Sequence, residues 1–371
     1  MKRGITIRLG YADTIFRKCP KCEDTYTTQK NCEKCGEETI FLRKVSFVDA
    51  PGHESLMATM LAGATIIDGA LVMISANEPC PQPQTKEHLM ALKILGIKHI
   101  VIAQNKIDTV NEEQALKNYN QIKTFLKETE YENSPIIPIS ARHGVNTDIL
   151  IKTIQETIPT PKRNPDLEPL MFIARSFDIN KPGSMIENIK GGVLGGSLQQ
   201  GKLKTGDIIE IRPGYKTEER NQIIFKPITT EITNIATGGS NVNEIKPGGS
   251  VAIMTKLDPS VIKSDKLTGS IIGLKEKLPP VWYELKLKVN LLERVVGAKE
   301  TIQVEPLKMT EMLMLNVNSA ATVGIVRKLH KGIAECQLKI PVCATIGSRV
   351  TISRRLGNRF RLIGYGIIES N

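Results

Sequence analysis

Short apolar runs alternate with helical patterns along residues 44–158. The runs are apolar at successive positions, which is typical of parallel strands buried on both faces. The predicted strands are Val45–Val48, Ala70–Ser75, Ile100–Gln104 and Ile136–Ile139. Helical patterns lie between and after them, at Leu56–Ile67, Thr85–Leu95, Glu112–Thr129 and Thr147–Thr157. This alternation predicts a doubly wound α/β domain with a parallel sheet.

The pattern changes after a proline-rich segment that we interpret as a linker, residues 159–168, because prolines cannot continue a helix. Beyond it, glycine and proline recur between short runs rich in Ile, Val and Thr, which predicts strands and no helix. The clearest runs are Leu170–Ala174, Gly191–Gly195, Asp207–Ile211, Ser250–Met254, Leu285–Asn290, Met312–Val317, Ile333–Leu338 and Ile363–Ile368. A second boundary falls at Pro279-Pro280. We therefore expect an α/β domain at residues 1–158, then two β-barrel domains at residues 169–280 and 281–371.

Composition narrows the class of protein. The 371 residues contain no apolar run of about 18, the length of a membrane span, and the N-terminus has no signal-peptide pattern. We therefore expect a soluble, cytoplasmic protein with no membrane partner. The formal charge is +11, of which residues 281–371 carry +7. Such a surface favours nucleic acid through phosphate contacts, although a solvated basic surface without a partner explains the charge equally well.

The strongest chemical signal is Asn105-Lys106-Ile107-Asp108, which directly follows the predicted strand Ile100–Gln104. Ligands of α/β sheets bind at the carboxyl ends of strands. A carboxylate there can accept from both the ring N–H and the exocyclic amine of guanine, which adenine cannot match. The lysine stem would lie along the base, and the asparagine would brace the loop. The alternative is an exposed polar turn.

A second signal, Asp49-Ala50-Pro51-Gly52-His53, ends the strand Val45–Val48. Asp49 can reach a magnesium ion through water, and Gly52 allows a backbone N–H to approach a terminal phosphate. His53 stands where it could orient an attacking water and is our candidate catalytic residue. The alternative is a strand-to-helix turn with an incidental histidine.

Four of the seven cysteines, Cys19, Cys22, Cys32 and Cys35, form the pattern C-x2-C-x9-C-x2-C. Two such pairs suit tetrahedral zinc, and we place a zinc knuckle at residues 17–38. A redox pair is the alternative. So small a knuckle has almost no core, so the metal would hold its fold together. The other cysteines, Cys80, Cys336 and Cys343, lie in apolar surroundings and are expected to be reduced core residues.

Together and in this order, the motifs resemble the gamma subunits of archaeal and eukaryotic translation initiation factor two, which are GTPases similar to elongation factor Tu. The zinc knuckle distinguishes them from bacterial elongation factor Tu itself. The resemblance covers essentially the whole chain. Further matching segments are residues 2–11, 77–85, 175–183, 190–193 and 291–297.

This resemblance implies a protein-synthesising GTPase that binds GTP or GDP with Mg²⁺ and Zn²⁺. Its partners would be methionylated initiator tRNA, the alpha and beta subunits of a heterotrimer, and the small ribosomal subunit, with hydrolysis on start-codon selection. It also implies roles for single residues. Ser140, Ala141 and Arg142 would lie at the guanine carbonyl. Gly4 and Thr6 would lie at magnesium, and Asp49 would reach the ion through water.

Two further surfaces are candidates for contacts with tRNA. Tyr11 could stack on the tRNA end or be a half-buried packing residue. The basic stretch Ser353–Arg361 could contact phosphates or be a solvated strand edge.

A GTPase of this class needs the phosphate-binding loop G-x-x-x-x-G-K-[ST], and this sequence does not contain it. We expect the loop, with the first strand and first helix of the domain, to lie ahead of Met1. Two rivals remain. Selenocysteine-specific elongation factors lack this zinc insert and carry a C-terminal extension. A non-hydrolysing tRNA-binding or scaffold protein would use the barrels without nucleotide.

Overall fold

The computed structural model describes residues 9–50, 60–61, 66–219, 222–295, 302–357 and 359–370. They form an α/β domain followed by two β-barrels, the fold class that the sequence predicts. The predicted helix Leu56–Ile67 lies outside this part of the chain, apart from residues 60–61 and 66–67.

The α/β domain is built on a parallel sheet in the order β4 (Ala70–Ser75), β5 (Ile100–Asn105), β6 (Ile136–Pro138). Within the described ranges, three helices with defined bounds accompany it: α1 (Pro83–Leu95), α2 (Glu112–Lys127) and α3 (Thr147–Thr157). Local sequence fixes where two of these helices begin or end. Asn111 and Gln114 form a capping box at the start of α2, and Gly96 ends α1 in a left-handed conformation.

A separate antiparallel sheet contains β1 (Gly10–Lys18), β2 (Tyr26–Thr27) and β3 (Ile40–Asp49). The prediction that Val45–Val48 is a buried parallel strand is therefore wrong for the pairing that the structure describes. The physical reason lies in the side chains. Polar Lys44 and Ser46 alternate with Val45 and Phe47, so this segment of β3 has one polar face and one apolar face. That alternation is typical of antiparallel strands.

The first barrel is a seven-stranded sheet closed by the pairing of β10 with β11. Its strands in chain order are β7 (Leu170–Phe177), β8 (Val193–Gln200), β10 (Ile208–Glu219), β11 (Gln222–Thr237), β12 (Ser240–Val242), β14 (Val251–Thr255) and β15 (Ile271–Leu274). Short β9 (Leu203–Lys204) and β13 (Glu244–Ile245) pair with each other. The sequence missed one helical turn here, Pro259–Ile262, which Asp258 caps by accepting from the Ser260 amide.

The second barrel closes in the order β16, β19, β18, β17, β20, β21. The strands are β16 (Val281–Leu291), β17 (Met312–Val317), β18 (Ala320–His330), β19 (Ile333–Cys343), β20 (Arg349–Leu356) and β21 (Arg359–Ile368). All four runs predicted in this region lie within these strands. No helix among the described residues is long and apolar enough to cross a membrane.

The second barrel packs against helix α1. An apolar cluster joins Ala91 and Ile94 of α1 to Leu362 of β21. Beside it, Arg361 forms an ion pair with Glu87, whose side chain is only 2% exposed. Arg349 donates to the Ile94 carbonyl at the end of the same helix.

Candidate nucleotide site and zinc centre

The loop predicted to read guanine starts at the last residue of β5. Asn105 ends the strand, Lys106 adopts a left-handed conformation with φ 65°, and Ile107–Thr109 form a single 3-10 turn. A left-handed conformation is uncommon for a lysine and costs energy, so it marks a position where the surroundings impose the backbone shape. The surroundings of Lys106 therefore set the backbone conformation of this loop, and the Ile107 amide donates to the Ile139 carbonyl next to it.

A second loop is fixed against the first. The Ala141 amide donates to Asn105 Oδ1 at 3.0 Å, so the asparagine joins the two loops. A hydrogen bond from Ser140 holds the pKa of Asp108 below its usual range, assisted by the nearby charges of His143 and Arg142. Asp108 is thus kept as a carboxylate, the form that can accept two hydrogen bonds from guanine.

The phosphate side of the site is only partly described. Asp49 lies at the exposed end of β3, where it pairs with Gly10 of β1. The other predicted residues of this side, Gly4, Thr6, Gly52 and His53, lie outside the described residues.

The four cysteines of the knuckle converge. Their sulfur atoms all lie within 4.8 Å of one another, with Cys19 Sγ 3.5 Å from Cys35 Sγ. Tetrahedral zinc with bonds of about 2.3 Å places its sulfurs about 3.8 Å apart, whereas a disulfide needs about 2.05 Å. The Cys22 amide donates to Cys19 Sγ and lowers the pKa of that thiol to about 7. The arrangement fits a zinc ion.

Replacing Cys32 by serine should remove zinc and unfold the knuckle, because a structural zinc site supplies the folding energy of so small a unit. The zinc content of the purified variant, measured by metal analysis, should fall from one zinc per chain to nearly none. Cys336→Ser, in the second barrel, is the matched control and should keep its zinc. Zinc retained by Cys32→Ser would contradict the four-cysteine site.

A groove of about 510 Å³ lies between strand β1 and the first barrel. Tyr11 lines it and is 37% exposed, and burial raises the pKa of its hydroxyl to about 12. Arg175 also lines the groove: it pairs with Asp265 at 2.9 Å and donates to the Leu9 carbonyl at 3.2 Å. Tyr11 is thus half-buried and still borders open space, so both interpretations of it remain consistent with its position.

The basic stretch Ser353–Arg361 is largely engaged within the protein. Arg354 is held by Glu311 and by the carbonyls of Glu305 and Pro306. Arg361 pairs with Glu87 of helix α1. These two arginines therefore serve internal packing, which weakens the interpretation of the stretch as a phosphate-contact surface.

Two residues with structural contacts, His143 and Arg43, belong to none of the sequence motifs. His143 Nε2 lies 3.8 Å from Oδ2 of Asp108, the carboxylate predicted to read guanine. It stands one residue beyond Arg142, and its place in that loop could have revealed it. Arg43 donates to two carbonyls at the end of α3, 111 and 115 residues away, and nothing in the local sequence signals that contact.

Comparison with known proteins agrees with this geometry. A family profile described as "Elongation factor Tu GTP binding domain" matches residues 1–160, and one described as "Initiation factor eIF2 gamma, C terminal" matches residues 283–368. The translation initiation factor 2 subunit gamma of Methanocaldococcus jannaschii is 58% identical over 369 residues, covering 100% of this chain and 90% of the relative. The Pyrococcus horikoshii protein of the same name matches to the same extent.

The chain belongs to the gamma-subunit family of translation initiation factor 2. Members of this family are GTP-binding initiation factors, so the family places the chain among the translational GTPases that bind GTP or GDP with Mg²⁺. Family membership also favours this function over the non-hydrolysing scaffold that the sequence left open.

Solved structures confirm the fold of this gamma-subunit family member. Elongation factor SelB from Methanococcus maripaludis, in complex with the GTP analogue GppNHp, superposes with a TM-score of 0.71 at 22% identity, covering 99% of this chain and 74% of that one. A bacterial selenocysteine-specific elongation factor gives 0.72 at 23% identity, covering 99% and 52%. At such identities the likeness concerns the fold alone, whereas the 58% identity to initiation factors shows family membership.

Proposed function

We propose that this chain carries methionylated initiator tRNA to the small ribosomal subunit, as the GTP-binding subunit of a cytoplasmic heterotrimer with alpha and beta subunits. GTP hydrolysis would follow start-codon selection. The observation that carries the proposal is the pair of loops at the ends of β5 and β6, where Asn105 Oδ1 holds the Ala141 amide and Asp108 remains ionised.

In this proposal Asp108 accepts the ring N–H and exocyclic amine of guanine, while the stem of Lys106 covers the base. Ile107 belongs to the same loop. The backbone N–H groups of Ser140, Ala141 and Arg142 would approach the guanine carbonyl. Because the two loops are already joined by a hydrogen bond, little ordering would be needed when the base binds.

At the other end of the nucleotide, Asp49 would hold Mg²⁺ through water, together with Gly4 and Thr6. The ion would neutralise charge on the phosphates and orient them. Gly52 would bring its amide to the terminal phosphate, and His53 would orient the attacking water. The phosphates themselves need a G-x-x-x-x-G-K-[ST] loop, and none occurs in this sequence.

The proposal is tested by fluorescent GTP and GDP binding to two purified proteins, this chain and a version extended at its N-terminus through a phosphate-binding loop. Binding by the extended version alone would support the guanine site and the expectation that the loop lies ahead of Met1. Failure of both to bind would overturn the assignment of Asn105, Lys106 and Asp108 to guanine.

Tyr11→Ala should weaken binding of initiator tRNA by about 5- to 150-fold, because stacking of a base on an aromatic ring contributes about 1–3 kcal/mol. Tyr11→Phe keeps the ring and should bind nearly as well. Filter binding with the GTP-loaded protein measures both, and thermal unfolding serves as the control. Loss of stability without loss of tRNA affinity would favour the packing interpretation.

A further inference from the structure

The zinc knuckle, residues 17–38, contacts helix α3 through two ion pairs. Lys152 Nζ lies 2.8 Å from Asp24 Oδ2, and Lys34 Nζ lies 3.9 Å from Asp148 Oδ2. Asp24 follows the first cysteine pair and adopts a left-handed conformation with φ 53°, and Lys34 lies inside the second pair. Both knuckle residues are therefore placed by the segment that the four cysteines close.

The strands that carry the knuckle hold the far end of the same helix. Arg43 of β3 donates to the Ile158 carbonyl at 2.6 Å and to the Ile154 carbonyl at 3.0 Å. These carbonyls end α3, where a cation is also favoured by the helix dipole. Beneath them, Phe16 of β1 packs in one cluster with Ile154. The knuckle and its strands thus contact α3 in its first turn, at Lys152 and at its end, while the parallel sheet packs on its apolar side chains.

The first turn of α3 is joined to the guanine-carbonyl loop. Only residues 143–146 separate Arg142 from the helix, and the Thr147 amide donates to the Gly144 carbonyl. Ser140 and Val145 exchange backbone hydrogen bonds at 3.3 and 3.1 Å, which closes the loop onto the start of the helix. A shift of α3 would therefore move the Ala141 amide relative to Asn105.

We propose that the zinc knuckle is a positioning element for the guanine site: its metal-dependent fold holds helix α3, and α3 holds the Ser140–Arg142 loop against the Asn105–Asp108 loop. The inference rests on the guanine site proposed above, and it assigns Asp24 and Lys152 as positioning residues. Without the metal the knuckle loses its fold, because it has almost no core of its own. The contacts of Asp24 and Lys34 with α3 would then be lost together.

Hydrogen exchange followed by mass spectrometry tests this on the full chain, because local opening governs the exchange rate of each amide. Removing zinc with a chelator should speed exchange about tenfold or more in residues 141–157, and leave β18 and β19 of the second barrel unchanged. Unchanged exchange in residues 141–157 after complete zinc removal would overturn the proposal, as would a purified chain that binds no zinc.

Lys152→Met tests the ion pair independently of the metal. It removes the charge, keeps most of the side-chain stem and touches no cysteine. It should retain one zinc per chain and speed exchange in residues 141–157 by about two- to fivefold, the range that a partly exposed ion pair supplies. Lys152→Arg should restore protection, and Lys123→Met, at an exposed lysine of α2, should change nothing there. Equal exchange in Lys152→Met and Lys123→Met would overturn the role of the pair.

The rate of GDP release gives a second, independent readout. In the version of the chain that binds GTP, zinc removal and Lys152→Met should both speed GDP release. If exchange in residues 141–157 responds to zinc but neither version of the chain binds nucleotide, the proposed function is refuted and the link between the knuckle and α3 stands. Nucleotide binding that is insensitive to zinc, with α3 equally insensitive, would refute the link alone.

Discussion

Asp108→Asn is expected to weaken GTP binding by about two to three orders of magnitude and to create affinity for xanthosine triphosphate. The carboxylate offers two acceptors to two guanine donors, and charge-assisted hydrogen bonds contribute about 1.5–3 kcal/mol each. Asparagine places an N–H donor against one of the guanine donors. Xanthine has a carbonyl oxygen where guanine has its amine, so the asparagine donor finds an acceptor there.

Competition of both nucleotides for a fluorescent GDP probe measures this exchange of specificity, in whichever version of the chain binds GTP. Glu113→Gln is the matched control, because it removes one negative charge from the exposed first turn of α2 without touching the loop. The guanine assignment fails if Asp108→Asn leaves GTP affinity unchanged, or if GTP and xanthosine triphosphate bind equally poorly while the protein remains folded.

The sequence predicted the elements that depend on local pattern. Met312–Val317 and Ala70–Ser75 are strands with the predicted bounds, and α3 spans the predicted Thr147–Thr157. The four cysteines converge as their spacing predicts. In each case the signal lies within a short segment: a run of apolar residues, a helical repeat or a ligand spacing.

Contacts between distant segments could not be predicted in this way. Glu87 and Arg361 are 274 residues apart, and the basic stretch around Arg361 suggested phosphate binding rather than an internal ion pair. Asp24 and Lys152 look like ordinary exposed charges until the fold brings the knuckle onto α3. The pairing of β3 was misjudged for a related reason, since strand direction depends on which neighbour the chain supplies.

The proposed role of the knuckle would mean that the guanine site depends on more than its motif. In the proposed site the Asn105–Asp108 loop reads the base, and the Ala141 amide that Asn105 holds belongs to a loop joined to the start of α3. Helix α3 packs Leu150, Ile151 and Ile154 into one apolar cluster with Val101 of β5. The knuckle and its strands add polar contacts to Asp148, to Lys152 and to the carbonyls at the end of the helix.

Arg361→Ala should lower the free energy of unfolding by about 3–5 kcal/mol, because it leaves the Glu87 carboxylate buried without its cation. The side chains of Arg361 and Glu87 are 11% and 2% exposed, and Glu87 Oε2 has no hydrogen-bond partner among the described residues. Urea unfolding measures the loss. Arg355→Ala, on the neighbouring strand β20, is the control and should change stability far less.

The ionisation of Glu87 gives this prediction a second signature. Burial raises the pKa of Glu87, and Arg361 opposes that rise only in part. A raised folded-state pKa means that Glu87 favours folding below its unfolded pKa and that this contribution is lost as pH rises through the folded value. Without Arg361 the folded pKa should rise further, so the difference between wild type and Arg361→Ala should be small near pH 4 and grow toward neutrality.

Replacing both partners by methionine separates the cost of an unpaired charge from the contribution of the interface. Glu87→Met with Arg361→Met should be close to wild type in stability, because well-packed apolar residues often match a buried ion pair. The double-mutant cycle should therefore show strong coupling. Additive losses would mean that the two side chains act independently, and that the apolar cluster of Ala91, Ile94 and Leu362, with the hydrogen bond from Arg349 to the Ile94 carbonyl, joins helix α1 to the second barrel without their ion pair.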